Sequence, residues 1–327
     1  MKNALKLITI ATMVVAGLTA AQAQITAGPN RPATVPAGYV ITPFGYFHPS
    51  CVVQLAEGDV LRPDARVIRH ANGASANMPV CAHPHYTANG VKVIGDERGV
   101  KDPDISHAWI EYASVTTTSS YGFFYAEWTV PPTPASNNGQ TVYFFPGLED
   151  IDDVVTIIQP VLGWNSDYAS AWGIASWNCC ESGTTYEAPP QPVSSGDTIL
   201  GYMFNTCPPG TAPCGSWQIL TWDLQNGKSS ALNNTSSFGQ TFNWAFGGAL
   251  EVYNIVQCSD YPPPPPGSPG ISFNNIGLYD YNYFPIANPE WSVSNISNGL
   301  TPQCGYGGSL PQQVILTYSP TGLGYPE

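Results

Sequence analysis

Val154-Val155-Thr156-Ile157-Ile158-Gln159-Pro160-Val161-Leu162 is a β-branched, apolar run that suits a pleated strand and fits a helix poorly. Alternation along it sets Gln159 on one face with Val155, Ile157 and Val161. A later run, Ala249-Leu250-Glu251-Val252-Tyr253-Asn254-Ile255-Val256, sets Glu251 on a face with Ala249, Tyr253 and Ile255. Further period-two or β-rich runs recur over 121–130, 141–145, 168–177, 198–204, 217–224, 241–246 and 313–318, and the run that holds Glu251 extends over 250–257. Turn chemistry separates them, as in Ser194-Ser195-Gly196-Asp197 and Asn226-Gly227, and Pro262 to Pro266 must form a polyproline loop. With 32 Gly and 32 Pro the chain is too densely interrupted for helices of normal length. The expected fold is all-β: one jelly-roll sandwich of two antiparallel sheets, with a small N-terminal segment.

Composition divides the chain near residue 107. Residues 24–107 hold all five histidines, seven Arg or Lys and no tryptophan, whereas all nine tryptophans follow. The expected organisation is a signal peptide at 1–23, an N-terminal segment at 24–107 and a β-sandwich catalytic domain at 108–327. Lys2 and Lys6, the apolar run from Leu7 to Leu18 and Ala21-Gln22-Ala23 carry the export signal. No later run is long enough to span a membrane as a helix. Residues 24–107 read either as a prosegment lying on the acidic domain or as an ordinary N-terminal subdomain, and the sequence leaves both open. Eight cysteines suit an oxidising compartment. Cys51 with Cys81 and Cys207 with Cys214 are expected as local staples, with Cys179, Cys180, Cys258 and Cys304 unassigned. The formal charge of −13 argues against nucleic-acid and anionic-membrane partners.

From Ala108 to Glu327 there is no histidine, no arginine and a single lysine, Lys228, against sixteen acidic residues. A histidine-based triad, a histidine metal site and an arginine clamp for phosphate are therefore excluded there. Chemistry drawn from carboxylates, amides and hydroxyls runs most naturally through a protonatable carboxyl, and so through hydrolysis of amide or glycosidic bonds in acid. No metal or cofactor is expected. Glu251, among apolar and aromatic neighbours, should be partly desolvated and its carboxyl pKa raised.

The segments Phe145-Pro146-Gly147-Leu148-Glu149, Thr156-Ile157-Ile158-Gln159-Pro160, Val193-Ser194-Ser195-Gly196-Asp197-Thr198-Ile199 and Ala249-Leu250-Glu251-Val252-Tyr253, in this order, resemble the eqolisin family of glutamic peptidases. The neprosin-like glutamic peptidases are similar in architecture. The resemblance covers about residues 121–260. Phe145 stands where eqolisins carry tryptophan and Glu149 where they carry aspartate. The Ala-Leu-Glu-Val-Tyr-Asn run shifts the family's acid by one position, which reverses its sheet face unless a bulge compensates. The resemblance implies a concanavalin-like sandwich, polypeptide substrates and a secreted, monomeric enzyme. Glu251 would act as general base on a water, and Gln159 would hold that water and the oxyanion. The two side chains are then expected on neighbouring strands with one shared water. Glu149, Glu127, Phe145, Trp177 and Tyr253 stand in reserve as catalytic or substrate-binding residues.

The rival reading is a secreted glycan-binding or glycoside-cleaving jelly roll. Trp164, Trp172, Trp177, Trp217, Trp222 and Trp244 would serve as sugar-stacking platforms and Glu127 with Glu251 as a carboxylate pair.

Overall fold

Apolar alternation becomes strand after strand in the computed structural model, which describes residues 27–28, 30–62, 67–78, 80–93, 108–152, 155–180, 183–295, 302–310 and 313–322. The expected signal peptide at 1–23 lies outside these residues. The N-terminal segment forms eight short strands: β1 (Val40–Thr42), β2 (Gly45–Phe47), β3 (Val52–Gln54), β4 (Val60–Leu61), β5 (Val67–Arg69), β6 (Ser75–Asn77), β7 (His85–Tyr86) and β8 (Lys92–Val93). Longer strands follow: β9 (Trp109–Thr116), β10 (Tyr121–Thr129), β11 (Thr141–Glu149), β12 (Ile157–Trp164), β13 (Trp172–Cys179), β14 (Thr185–Glu187), β15 (Gln191–Val193) and β16 (Thr198–Asn205). The chain continues with β17 (Ser216–Asp223), β18 (Ser229–Ser236), β19 (Trp244–Tyr253), β20 (Ile271–Asp280), β21 (Ser292–Asn295), β22 (Gly307–Ser309) and β23 (Val314–Thr317).

Two large sheets face each other. One runs β21-β9-β19-β11-β12-β13-β14-β3, with β15 also on β13; the other runs β22-β23-β20-β10-β16-β17-β18-β4-β5-β6. Pairings within 108–322 are antiparallel, as a jelly-roll sandwich requires. The N-terminal segment departs from that rule, adding β3 parallel to β14 and β4 parallel to β18. It is thus woven into both sheets. Strands β5 and β6 extend the second sheet beyond β4, and β1, β2, β7 and β8 form a separate sheet.

The core between the sheets follows from the alternation: Phe144, Leu162, Trp128 and Ile199 cluster at one end, and Phe124, Leu148, Ile158 and Met203 at the other. Burying each such side chain contributes about 1.5–3 kcal/mol. On its other face the nine-stranded sheet presents a second apolar layer, Tyr143, Phe145, Val161, Trp177 and Tyr253, which the N-terminal segment covers with Val35, Tyr39, Ile41 and Tyr46. The ten-stranded sheet turns its second face outward.

All eight cysteines pair: Cys51–Cys81 and Cys207–Cys214 as expected, with Cys179–Cys180 and Cys258–Cys304 completing the set. None of these bonds crosses residue 107. Among the described residues no helix is long and apolar enough to cross a membrane.

Candidate functional site

Gln159 sits at an interruption in the nine-stranded sheet. The β11–β12 ladder pairs Phe144 with Leu162 and resumes at Leu148 with Ile158. Between those points Pro146 and Pro160 fall opposite each other, and neither has an N–H to donate. The same register sets Gln159 opposite Gly147. The Gln159 side chain is 0% exposed, and its Oε1 meets no donor among the described residues. Its Nε2 donates to the main-chain carbonyl of Pro43 at 3.4 Å.

Pro43 belongs to the tip of the β1–β2 hairpin, which pairs Val40 with Phe47, Ile41 with Tyr46 and Thr42 with Gly45. Gly45 closes the turn at φ +123°, and a Cβ there would lie 2.3 Å from the Tyr86 carbonyl oxygen, so the tip requires glycine. The hairpin holds the face by further contacts of the same kind. Tyr143 Oη donates to the Ile41 carbonyl at 3.4 Å, Tyr46 Oη donates to Asn254 Oδ1 at 2.8 Å, and the Tyr46 ring meets Tyr253 edge-on at 5.4 Å. The hold of the hairpin is thus apolar and hydrogen-bonded.

Glu251 is on this covered face as well. The β9–β19 ladder shifts register twice, at Gly247 of β19 and at Ile110 of β9, the second beside Glu251. The carboxyl is fully buried and accepts from Tyr253 Oη at 2.5 Å. Burial pushes its pKa well above the ordinary carboxylate value; the Tyr253 hydroxyl and the Trp109 indole oppose that rise, and the Glu149 charge adds to it. In acid Glu251 is therefore a protonated group.

The expected adjacency of Gln159 and Glu251 is corrected by the register. Glu251 pairs with Tyr143, whereas Gln159 lies opposite Gly147, so the two are four residues apart along β11 and on either side of it. Strand geometry sets their backbones about 13 Å apart along the strands and about 10 Å across them, with β11 between, so they are not on neighbouring strands as expected. Glu149 is nearer, a diagonal neighbour of Gln159 across β11 and β12, on the same face. Trp177 is the direct partner of Gln159 on β13, and Glu187 is the partner of Trp177 on β14. Phe145 pairs with Ala249 and lies in the same layer.

Sequence reasoning missed Glu187, Asp167 and Tyr143. Asp167 hydrogen-bonds Glu187, and burial raises its pKa while that bond and Ser166 oppose the rise. Both carboxyls lie within electrostatic reach of Tyr143, as does Glu251. The only sequence signal was the even spacing of Tyr143 and Phe145 along one strand, which marked a face without saying what covers it.

Glu127 lies elsewhere. It faces outward from the ten-stranded sheet, where Asn275 Nδ2 donates to Glu127 Oε2 at 2.8 Å. A carboxylate pair of Glu127 with Glu251 is thus ruled out, because the two belong to different sheets and point away from one another. Of the six tryptophans considered as platforms, Trp164, Trp172, Trp177, Trp217 and Trp244 are buried in packing and only Trp222 is exposed, at 38%. Among the described residues no cluster of three or more His, Cys, Asp or Glu is arranged to hold a metal.

No family model matches the chain, and no curated protein matches it. Among solved structures it is similar to scytalidoglutamic peptidase with a peptide-based transition-state analogue, at 14% identity, 64% of this chain, 98% of that chain and a TM-score of 0.46. It is also similar to SCP-B, a member of the eqolisin family of peptidases, in complex with the tripeptide Ala-Ile-His: 15% identity, 64% and 98% coverage, TM-score 0.44. Toad ovary galectin with thio-digalactose matches at 11% identity over 43% of this chain and 91% of its own, with a TM-score of 0.26. Similarity at this level has no bearing on what this chain does.

Proposed function

We propose that the chain is a secreted, acid-acting endopeptidase whose Gln159 amide holds the scissile carbonyl. The observation that carries this reading is the peptide carbonyl of Pro43 resting on Gln159 Nε2, on a buried face that also carries Glu149, Glu187 and Glu251. A side-chain amide is a donor that stays uncharged at every pH, so it can polarise a carbonyl and then hold the developing oxyanion in acid. Glu149, diagonal to Gln159, is the carboxylate assigned to activate water. Glu251, held protonated by burial, supplies a proton reserve at the far end of the same face. The proton that Glu149 takes from the water passes to the leaving nitrogen, which departs as an amine.

Residues 24–107 then act as a prosegment. Gln159 is inaccessible while the β1–β2 hairpin is seated, so a substrate reaches it only after the hairpin leaves. Release is compatible with the disulfide pattern, since no bond ties the segment to 108–327. The test is incubation of the full chain with denatured casein at pH 3 to 5, with pepstatin present, alongside Gln159→Ala. Casein cleavage by the wild type alone supports the reading; cleavage by neither, after the segment has been removed, rejects it.

A further inference from the structure

The outer face of the ten-stranded sheet carries an aromatic surface that peptide hydrolysis does not use. Along β10, Phe124, Ala126 and Trp128 point into the core, so Phe123, Tyr125 and Glu127 point outward. Register aligns Tyr279, Phe123 and Phe204 across β20, β10 and β16, and places Tyr202 beside Tyr125 in the next row. The Phe123 ring centroid is 5.4 Å from both Tyr125 and Tyr279, with planes inclined at 37° and 35°. Tyr283 stacks on Phe204 at 5.4 Å and 17°. All six side chains are partly exposed.

The Tyr125 ring is laid against the sheet. A Cβ at Gly277, its partner on β20, would come within 2.1 Å of Tyr125 Cε1 and 2.4 Å of Cζ. Glycine there lets the ring lie down over the backbone and turn its other side to solvent. Trp222, outward on β17 and 38% exposed, and Phe284 beyond β20, 68% exposed, add to the apolar area. A contiguous exposed apolar surface of this kind marks an interaction site.

Charge selects the occupant. The outward side chains of β10, β16, β17 and β20 include no lysine or arginine and one carboxylate, Glu127, which is engaged by Asn275. With a chain charge of −13, polyanions are repelled, and one engaged carboxylate does not recruit a polycation. The rim is neutral and hydrogen-bonding: the hydroxyls of Tyr125, Tyr202 and Tyr279, Asn274, and the Gln218 to Asn233 amide pair at 2.9 Å. A ligand that matches flat rings and a neutral polar rim has apolar C–H faces and hydroxyl edges.

We infer that this face binds a neutral polysaccharide, the rings stacking on the C–H faces of successive pyranose units while the rim meets their hydroxyls. The surface lies on the opposite sheet from Gln159 and does not depend on the function proposed above. It would hold the protein on an insoluble glycan matrix.

The test is retention of the full chain on microcrystalline cellulose and crystalline chitin, and retardation in gels containing soluble β-glucan, at low and high salt. The inference expects salt-insensitive binding to at least one of them, weakened about tenfold or more by Phe123→Ser with Tyr125→Ser, each lost ring contact removing a stacking partner. Trp222→Ala, which removes an exposed ring without touching the others, should weaken binding with an unchanged thermal melt. No retention of the wild type on any of the three polymers overturns the inference, as does equal retention of wild type and variants. Concentration-dependent self-association that the double variant abolishes would overturn it too, assigning the face to a second copy of the chain.

Discussion

Gln159 Nε2 donates to the carbonyl of Pro43 across 3.4 Å, joining a mid-strand amide to the tip of a hairpin more than a hundred residues earlier. The contact is a main-chain carbonyl on an uncharged donor, which is what a peptide substrate would present. Several consequences can be measured.

Loosening the hairpin should expose the site. Gly45→Val places a branched side chain where even a Cβ would meet the Tyr86 carbonyl at 2.3 Å, and at a φ that favours glycine. The variant is expected to cleave a peptide substrate at pH 5 without the lag that release of the hairpin imposes on the wild type. Equal latency in both would detach the hairpin from inhibition.

The hairpin should also loosen in acid. The His48 and His83 rings stack at 3.7 Å, with Tyr39 edge-on to His48 and Ser50 Oγ 2.7 Å from its Nδ1. Partial burial and His83 lower the His48 pKa. The folded contact thus favours neutral imidazole: its stability is present above the ordinary histidine value of about 6.5 and is lost as pH falls. Amide exchange over residues 40–47 is expected to quicken below about pH 6, and a His48→Phe, His83→Phe variant to lose that dependence. Exchange that stays flat from pH 7 to pH 4 in the wild type would remove the histidine stack from release.

The sandwich should respond to pH in the opposite sense. Burial raises the pKa of Glu251, and it also raises that of Glu111 despite backbone N–H bonds from Gly307 and Thr317. Folded protein keeps protons that the unfolded chain gives up, so this stability is complete below about pH 4.3 and is lost as pH rises toward the raised values, by at most about 1.4 kcal/mol per pH unit for each group. The melting temperature of the sandwich should therefore fall between pH 4 and pH 8. Glu251→Gln should flatten the fall; an unchanged slope in that variant would place the titration elsewhere.

Much of this architecture was legible because alternation is local. The runs at 121–130, 198–204 and 217–224 correspond closely to β10, β16 and β17. The segments at 241–246 and 250–257 proved to be one strand, β19, because Gly247 and Gly248 read as a break in sequence but sit at a bulge in the structure. Among the long strands β9, β18 and β20 escaped notice; in the last two, Asn233, Asn234, Asn274 and Asn275 dilute the strand pattern that tertiary pairing overrides. The covered face was readable as a set of residues but not as a geometry. Alternation assigns Gln159 and Glu251 to a face, whereas their four-residue offset depends on the register across β11. Glu187 and Asp167 come together from separate strands and loops, which no spacing in the sequence announces.

The choice of base can be tested by charge removal. With the segment removed, Glu149→Gln is expected to lower kcat at pH 4 with little change in KM, because it removes a group needed only in the transition state. Glu251→Gln should have the smaller effect and shift the upper limb of the pH profile. The reverse order would return the base to Glu251.

The most direct measurement is kcat/KM for one peptide substrate at pH 4, with residues 24–107 removed by acid, in wild type and in Gln159→Ala. A lost oxyanion donor should lower the value by about 100- to 1000-fold with the fold intact by circular dichroism. A Gln159→Ala protein that cleaves as fast as the wild type would contradict the central claim that this amide holds the scissile carbonyl.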